Sequence, residues 1–294
     1  MKKFPKKINR VGLIANSEKP ESRSVAQKAA ALLARTGHDI CCDIATAEMV
    51  GLKTVSYPDP ASLARQVDLL LVFGGDGSML RVVREIEGAL TPILGVNVGR
   101  LGFLTAVPSR ELPRALDKIW KNDFEIESRP LLEARGEGRG KKILLRALND
   151  IVISRGAAPR MIELEVTVNG QVLTCYRCDG LIISSPTGST AYSLSAGGAI
   201  VSPDAQVFAI TPICPHTLSN RSVIVSSNAI VQVKVISEKV ETTATADGQV
   251  QADLDAGDVI TIRRNRRVAQ LLHPGGSSFF ETLRRKLHWS GSNV

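Results

Sequence analysis

The chain has 294 residues, of which 44% are hydrophobic and 22% are charged, and these values are ordinary for a globular protein that buries a core. The length suits two modest domains or one large one, and the composition excludes disorder over most of the chain. The formal net charge is +8, yet only 4% of the residues are aromatic, which leaves little material for stacking nucleic-acid bases. We therefore expect small anionic ligands and no nucleic-acid partner.

Charged and apolar runs are short. The two densest basic runs, 263–267 and 284–286, are flanked by apolar residues, which predicts solvated faces of a strand or helix. The basic N-terminus is followed only by the apolar stretch 11–15, too short for a signal peptide, and no run approaches the length that spans a membrane. We expect a cytoplasmic protein without a membrane partner.

The first part of the chain alternates between two periodicities. Predicted strands at 11–15, 41–45, 67–73 and 92–96 alternate with predicted helices at 22–36, 78–87 and 112–120. The strands are continuous apolar runs, and such runs alternating with helices predict a parallel sheet covered on both faces.

The character changes near residue 125, where β-type patterns take over. Residues 162–168 alternate apolar and polar side chains, and Asn169-Gly170 follows, which is typical of a hairpin with a type I′ turn. Further predicted strands lie at 223–225, 230–236, 242–246 and 259–262. We therefore expect an α/β domain over 1–125, a β-rich domain over 126–275 and an amphipathic helical tail over 276–294 that packs on one of them.

The loop Gly74-Gly75-Asp76-Gly77 lies between a buried predicted strand and a predicted helix. Open α/β sheets bind ligands at such points, and glycines followed by a helix N-terminus suit phosphate. The loop does not match a Walker A or a G-x-G-x-x-G pattern. Asp76 then either accepts a proton from an attacking hydroxyl, helps to hold a metal ion, or caps the helix in a tight turn.

Three other segments carry polar residues beside apolar strands. In the segment 179–193 a predicted strand meets a loop rich in serine and threonine before a predicted helix, which suits a phosphate or a ribose but also describes an N-capped turn. Asn149-Asp150 precedes an apolar run, at a strand edge or in a turn, and Asp247-Gly248-Gln249 is typical of a hairpin turn.

Five cysteines include one C-x-x-C pair, Cys175 and Cys178. A zinc site needs two more ligands at suitable spacing, and the four histidines are scattered. We expect ordinary reduced thiols and assign no residue as a metal ligand.

Taken together and in order, these segments closely resemble the NAD kinase family. The resemblance covers residues 10–285 and includes Gly74 to Gly77, the stretch 97–104, Asn149-Asp150, Asp179 to Ser195 and Asp247-Gly248-Gln249. The glycine–aspartate loop alone is shared with lipid kinases and phosphofructokinase-type kinases, whereas the long 179–193 segment is far more specific.

The resemblance implies transfer of the terminal phosphate of ATP to the 2′-hydroxyl of the adenosine ribose of NAD, giving NADP. It also implies a divalent cation, usually Mg²⁺, a homodimer or homotetramer, and an NAD-binding role for the β-rich domain. It assigns Asp76 as the proton acceptor and places a set of residues at the nucleotides: Asp76, Gly77, Asn149, Asp150, Arg160, Arg177, Asp179, Thr190, Ala191, Tyr192, Ser193, Leu194, Ser195 and Gln249.

Two details qualify this assignment. The family usually has Asn-Glu where this chain has Asn149-Asp150, so the shorter carboxylate must reach about one methylene further, and we expect the role to survive. Arg177 lies two residues before Asp179, as in the branch of the family that is restricted to ATP, so we expect ATP rather than polyphosphate as the donor.

Two rival functions remain for the sequence. A lipid kinase built on the same loop favours an exposed apolar or basic membrane-facing patch, and the 179–195 segment argues against it. A non-catalytic dinucleotide sensor should lack a usable base in the loop, where Asp76 is present.

Overall fold

The computed structural model describes residues 8–105, 107–157, 160–217, 221–276 and 278–289. The chain folds as two compact units, one made of Met1–Ser128 and Ala269–Val294, the other of Arg129–Val268. The chain passes from one unit to the other twice, each time within a long strand.

The first unit is an α/β layer structure. Its strands are β1 (Arg10–Ala15), β2 (Asp39–Asp43), β3 (Val55–Tyr57), β4 (Leu69–Gly74), β5 (Ile93–Asn97) and β6 (Val107–Pro108), and its helices up to residue 120 are α1 (Pro20–Arg35), α2 (Ile44–Val50), α3 (Pro60–Ala64), α4 (Asp76–Glu85) and α5 (Leu112–Trp120). The strands pair in parallel in the order β5-β4-β1-β2-β3, and β6 lies parallel beside β5. The predicted parallel sheet is confirmed.

The sheet brings two loops to one edge. Every residue of β4 is buried, as expected for a central strand covered on both faces. Gly74, the last residue of β4, pairs with Asn97, the last residue of β5. The loops that follow these two strands therefore start side by side, which positions the candidate site described below.

Several local predictions need correction. The predicted strand 41–45 ends at Asp43, because the Asp43 side chain accepts a hydrogen bond from Thr46 N (3.1 Å) and caps α2. Helix α4 begins at Asp76, two residues before the predicted start, and α2, α3 and β3 were not predicted.

The second unit is mainly antiparallel β-structure, as predicted. Its elements are β7 (Phe124–Gly138), β8 (Lys141–Ala147), β9 (Asp150–Arg155), β10 (Ile162–Val168), β11 (Gln171–Cys178), β12 (Gly180–Ser184), α6 (Tyr192–Ser195), β13 (Val207–Ile213), β14 (Val223–Ser226), β15 (Val231–Val235), β16 (Thr242–Ala246), β17 (Val250–Leu254) and β18 (Val259–Pro274). One sheet has six strands in the order β14-β13-β12-β9-β16-β17. Within this unit β10, β11, β15 and β18 pair in the order β11-β10-β15-β18, and β7 pairs with β8.

Buried side chains from both groups of strands share one core, with Leu132, Ile151, Ile183, Val233 and Ile260 among its fully buried members. The alternating pattern of β10 gives the register that buries its apolar face.

One further expectation is confirmed, that of the hairpin turn. Asn169 and Gly170 adopt φ angles of 51° and 79°, as the type I′ hairpin turn requires. The tail forms α7 (Phe279–Leu287) in the first unit, where Lys286 Nζ donates to the Leu101 carbonyl (2.6 Å) and lies 5.7 Å from the centre of the Phe103 ring. The tail thus packs against the loop after β5.

Candidate active site

Helix α4 starts directly from the glycine loop at the end of β4. Gly75, in extended conformation, is the residue before the helix, and Asp76 is its first residue. A β-carbon on Gly74 would lie 2.2 Å from Ser78 Oγ, so only glycine allows the helix to start this close to the strand. The chain therefore delivers a carboxylate to the N-terminal turn of a helix at the sheet edge.

The Asp76 carboxylate is held by the loop that follows β5. Its Oδ2 accepts from Phe103 N (2.8 Å), and its Oδ1 accepts from Leu104 N, Thr105 N and Thr105 Oγ1 (3.1 Å each). The alternative that Asp76 caps its own helix is not observed, because α4 has no side-chain cap. A carboxylate offers about four acceptor positions, and three of these contacts fall on Oδ1, so Oδ2 retains capacity for another donor.

The loop itself is rigidly shaped around this carboxylate. Asn97, 4% exposed, donates from Nδ2 to the Arg100 carbonyl (2.7 Å) and to Thr105 Oγ1 (2.8 Å), and accepts from Gly99 N (2.8 Å). A β-carbon on Gly102 would lie 1.9 Å from Asp76 Oδ1. Close packing on Asp76 thus explains the glycine at position 102.

A cation that the sequence analysis did not single out lies beside the glycine loop. A β-carbon added to Gly75 would lie 3.1 Å from Lys19 Nζ, and one added to Gly99 would lie 4.0 Å from it. Among the residues that the structure describes, Lys19 has no side-chain hydrogen bond or ion pair. The loop after β4, the loop after β5 and an ammonium group therefore converge, a combination suited to phosphate.

In the second unit, Asn149 and Asp150 lie at one end of the six-stranded sheet, where β9 begins. The Asp247 carboxylate accepts from the backbone amides of Leu148 (3.0 Å), Asn149 (2.7 Å) and Asp150 (3.3 Å). Asp247 lies in the predicted turn between β16 and β17, with φ angles of 51° at Asp247 and 63° at Gly248. This turn, which also carries Gln249, fixes the backbone of the Asn149-Asp150 pair.

Asp150 is a buried carboxyl, 4% exposed, and its side chain has no hydrogen-bond partner within the described part of the chain. Burial, reinforced by the nearby negative charge of Asp247, raises the pKa of Asp150 to about 7. Raised carboxyl pKa values cluster at functional sites. The buried Asp150 carboxylate therefore destabilises the folded protein, and its oxygens can still accept hydrogen bonds from a ligand.

The serine- and threonine-rich segment packs against this pair. Ser185 N donates to the Asn149 carbonyl (2.8 Å) and Ser185 Oγ to the Leu148 carbonyl (2.5 Å). A β-carbon on Gly188 would lie 2.3 Å from the Asn149 carbonyl oxygen. A 3₁₀ turn (Thr187–Thr190) follows and leads into the one-turn helix α6, where a helix was predicted.

The residues predicted to touch nucleotide differ in exposure along this turn. Thr190 donates from Oγ1 to the Thr187 carbonyl (3.3 Å), and the Ser193 hydroxyl, fully buried, lies 3.2 Å from Thr211 Oγ1. Tyr192 is 48% exposed. Of the remaining residues of the predicted run, Ala191 and Leu194 are partly buried and Ser195 is exposed to solvent.

Asp179, Arg177 and Arg160 lie elsewhere in the second unit. Asp179 precedes β12, whose last residue Ser184 pairs with Asp150, and five residues of strand span about 16 Å at roughly 3.3 Å each. Asp179 Oδ1 accepts from Arg155 Nε (2.8 Å), Arg177 Nε lies 3.0 Å from Glu163 Oε1, and Arg160 is exposed. Asp150 and Asp179 of one chain therefore cannot both contact the same ribose.

The two cysteines of the C-x-x-C pair do not share a face of β11. Cys175 and Cys178 lie three residues apart on β11, so their side chains point to opposite faces of the sheet. Burial raises the pKa of the Cys178 thiol to about 12. Among the described residues no group of three or more histidine, cysteine, aspartate or glutamate side chains is placed to hold a metal ion.

Lys19 and Asp247 are the two residues that sequence reasoning did not place at the site. Asp247 was within a segment recognised as a turn, and the Asp-Gly pair was the available signal. Lys19 lies in a different segment of the chain from the glycine loop, and only the parallel pairing of β1 with β4 brings the two together.

No helix among the described residues is long and apolar enough to cross a membrane.

Comparisons with known proteins agree with this geometry. Residues 11–124 match the model of the ATP-NAD kinase N-terminal domain, and residues 148–273 match that of the ATP-NAD kinase C-terminal domain. The NAD kinase of Syntrophotalea carbinolica is 41% identical over 286 residues, which cover 96% of this chain and 99% of that protein. The NAD kinase of Moorella thermoacetica is 41% identical over 285 residues, 97% of this chain and 91% of that protein.

Two solved structures extend the likeness. Yeast NADH kinase complexed with NADH has a TM-score of 0.89 at 27% identity and covers 98% of this chain and 89% of its own. An NAD kinase from Archaeoglobus fulgidus in complex with ATP has a TM-score of 0.74 at 26% identity, covering 96% of this chain and 100% of its own. Family models that span both units, and relatives about 40% identical over nearly the whole chain, place this protein in the NAD kinase family.

Proposed function

We propose that this protein is an NAD kinase, which transfers the terminal phosphate of ATP to the 2′-hydroxyl of the adenosine ribose of NAD and releases ADP and NADP. The observation that carries the proposal is the Asp76 carboxylate, fixed at the start of α4 by the loop after β5 while Oδ2 keeps acceptor capacity. Membership of the family supports both substrates, since relatives are named for NAD and one solved neighbour was crystallised with ATP.

In the proposed reaction the ribose 2′-oxygen attacks the γ-phosphorus of ATP. The new bond joins the 2′-oxygen to phosphorus, the bond from phosphorus to the β,γ-bridging oxygen breaks, and the hydroxyl proton passes to Asp76 Oδ2. The three backbone amides on Asp76 hold the carboxylate in place, so its reorganisation in the transition state is small. General-base assistance of this kind contributes roughly 10²–10⁴-fold.

The glycine loop and Lys19 are proposed to hold the phosphates. The absence of side chains at Gly74 and Gly75 lets a phosphate approach the backbone at the start of α4. The Lys19 ammonium, next to Gly75 and Gly99, would neutralise charge on the transferred group. In phosphoryl transfer such positioning and charge neutralisation do most of the catalytic work.

The divalent cation implied by the family is proposed to arrive with ATP. Mg²⁺ at kinase sites is held by one or two carboxylates together with substrate phosphates, and the described residues offer single carboxylates rather than a cluster. In the proposed reaction Asp76 Oδ2 takes the hydroxyl proton, so the substrate phosphates would supply most of the ligands of the ion. The ion supplies charge neutralisation on the phosphates when it is bound.

The second unit is proposed to recognise NAD. Asp150 is buried with no hydrogen-bond partner among the described residues, and leaving such a group unpaired costs about 1–3 kcal/mol. A ribose hydroxyl or an amide of NAD would satisfy it. Asn149 and Gln249, which the Asp247 turn links to it, and the turn from Thr190 to Ser195 would supply further donors and acceptors, whereas Asp179 with Arg177 and Arg160 would form a separate subsite.

Three finer points complete the proposal. ATP is proposed as the donor in preference to polyphosphate, on the position of Arg177 in the sequence. A homodimer or homotetramer acting in the cytoplasm, with no nucleic-acid or membrane partner, is proposed from the sequence resemblance.

The direct test incubates the purified protein with NAD, ATP and Mg²⁺ and detects NADP with an NADP-specific dehydrogenase. Phosphorus NMR of the product should place the new phosphate on the adenosine 2′-oxygen. A dinucleotide sensor would bind NAD without forming NADP, and a lipid kinase would consume ATP only with a lipid acceptor such as diacylglycerol. Either result would refute the proposal.

A further inference from the structure

A cationic cavity lies within the Arg129–Val268 unit, around the arginine run of β18. It has a volume of about 430 Å³ and is lined by Ser227, Asn228, Arg263, Arg264, Asn265, Arg266 and two apolar residues. Small-molecule sites range over roughly 300–1,000 Å³. The lining holds three guanidinium groups and no carboxylate, which favours an anionic ligand.

The sequence predicted a solvated strand face here, and the burial pattern shows why a cavity forms instead. Ile260 and Ile262 point into the core with the usual two-residue spacing, but the next buried residue is Asn265 rather than residue 264. The inward–outward alternation therefore slips by one residue. The slip turns a polar side chain inward and leaves Arg264 and Arg266 beside it.

The arginines differ in how far their charge is neutralised. Arg263 Nη2 lies 3.1 Å from Glu133 Oε1, and Glu133 is shared with Arg135 and with Asn265 Nδ2 (3.2 Å). Arg264 donates only to the neutral Gln206 Oε1 (2.8 Å). Within the described part of the chain Arg266 has no acidic partner. Two guanidinium charges at the cavity thus remain uncompensated.

An unsatisfied hydroxyl gives the second, independent observation. Ser227 is 2% exposed and lines the cavity, and its Oγ has no hydrogen-bond partner among the described residues. Buried polar groups in native proteins almost always have a partner, so an orphan calls for a missing one. Its backbone is fixed, since Ser227 N donates to the Gln206 carbonyl (3.0 Å), and Gln206 also holds Arg264. Gln206 therefore positions both the backbone of Ser227 and the guanidinium group of Arg264.

We infer that this cavity is a binding site for a small molecule that carries a diphosphate or two neighbouring phosphate groups. Arg264 and Arg266 bind its oxygens through their planar forks, as guanidinium groups bind phosphate, and Ser227 Oγ donates to the same group. A single orthophosphate engages one arginine fork and fills less of the volume, so it binds more weakly. Neither Asp76 nor Asp150 lines the site, and the site has no part in the proposed transfer.

The test uses inorganic pyrophosphate as the probe and reads the arginines individually. The intact protein is treated with phenylglyoxal, with and without pyrophosphate at about 10 mM, tenfold above a Kd of about 1 mM, at constant ionic strength. Peptide mass spectrometry then measures modification of Arg264, Arg266 and the exposed Arg23 of α1. We expect pyrophosphate to protect Arg264 and Arg266 at least threefold, orthophosphate to protect them less, and neither to protect Arg23.

Variants separate the site from general charge effects and from the kinase site. Calorimetric titration measures the Kd of pyrophosphate at this cavity. Arg266→Gln and Ser227→Ala should each raise that Kd by about tenfold or more, the loss expected for a charge-assisted contact. The matched charge control, Arg23→Gln, should not. Equal protection of Arg23, no protection of Arg266, or equal weakening in all three variants would overturn the inference. None of these readouts depends on NADP formation.

Discussion

Replacing Asp150 with asparagine removes the charge of a buried carboxyl while keeping its size. Its pKa lies at about 7 in the folded protein, above the ordinary value of 3.8, because of burial first and the Asp247 charge second. Between these two values the folded state binds more protons than the unfolded state, so the free energy of unfolding falls as pH rises and levels off above about pH 7. Each pKa unit is about 1.4 kcal/mol, so the full penalty is about 4 kcal/mol.

The penalty is nearly absent near pH 4 and fully developed near pH 8. Urea unfolding compares the free energies of unfolding of Asp150→Asn and the unmodified protein at each pH. The difference should shift in favour of Asp150→Asn by about 2–3 kcal/mol as the pH rises from about 5 to 8. Glu238→Gln, which removes an exposed carboxylate of the same unit, should show no such gain. The gain in stability should come with a higher KM for NAD. A stability difference that does not change with pH would refute the argument that Asp150 is held at a cost.

Three further outcomes are expected. Lys19→Gln should raise KM for ATP about tenfold, the loss of one charge-assisted contact, with Lys19→Arg retaining part of the affinity and KM for NAD unchanged; equal effects on both substrates in steady-state kinetics would contradict a phosphate contact. Asp247→Asn should lower the free energy of unfolding by about 1–3 kcal/mol, since a donor replaces an acceptor opposite backbone amides, and should raise KM for NAD more than KM for ATP. The double variant Cys175→Ser and Cys178→Ser should keep its kinetic constants, and zinc that survives dialysis of the native protein but not of this variant would show the thiols to be ligands.

The fold could be predicted from sequence because its signals are local. The apolar run of β4 and the alternation of β10 each record how a strand is buried. The β16–β17 turn was likewise visible as Asp-Gly-Gln. Boundaries failed where a side chain decides the end of an element, as when Asp43 caps α2 and ends β2.

The site was less accessible because its contacts are long-range. That Asp76 is held by the amides of residues 103–105 follows from the pairing of β4 with β5, which no local pattern records. Lys19 reaches the glycine loop in the same way through β1. The separation of Asp150 from Asp179 follows from their places at opposite ends of paired strands β9 and β12. The family resemblance assigned Asp150 and Asp179 to one site, whereas the strand pairing places them about 16 Å apart along the sheet.

The central claim is that Asp76 accepts the proton, and Asp76→Asn tests it most directly. The asparagine keeps an acceptor for residues 104 and 105 but sets a donor against Phe103 N or loses one contact, so the protein should remain folded with a loss of about 1–3 kcal/mol. We predict that kcat for NADP formation falls by roughly 10²–10⁴-fold, while calorimetry shows NAD binding almost unchanged. A folded Asp76→Asn protein that binds NAD and turns it over at nearly the original kcat would contradict the account.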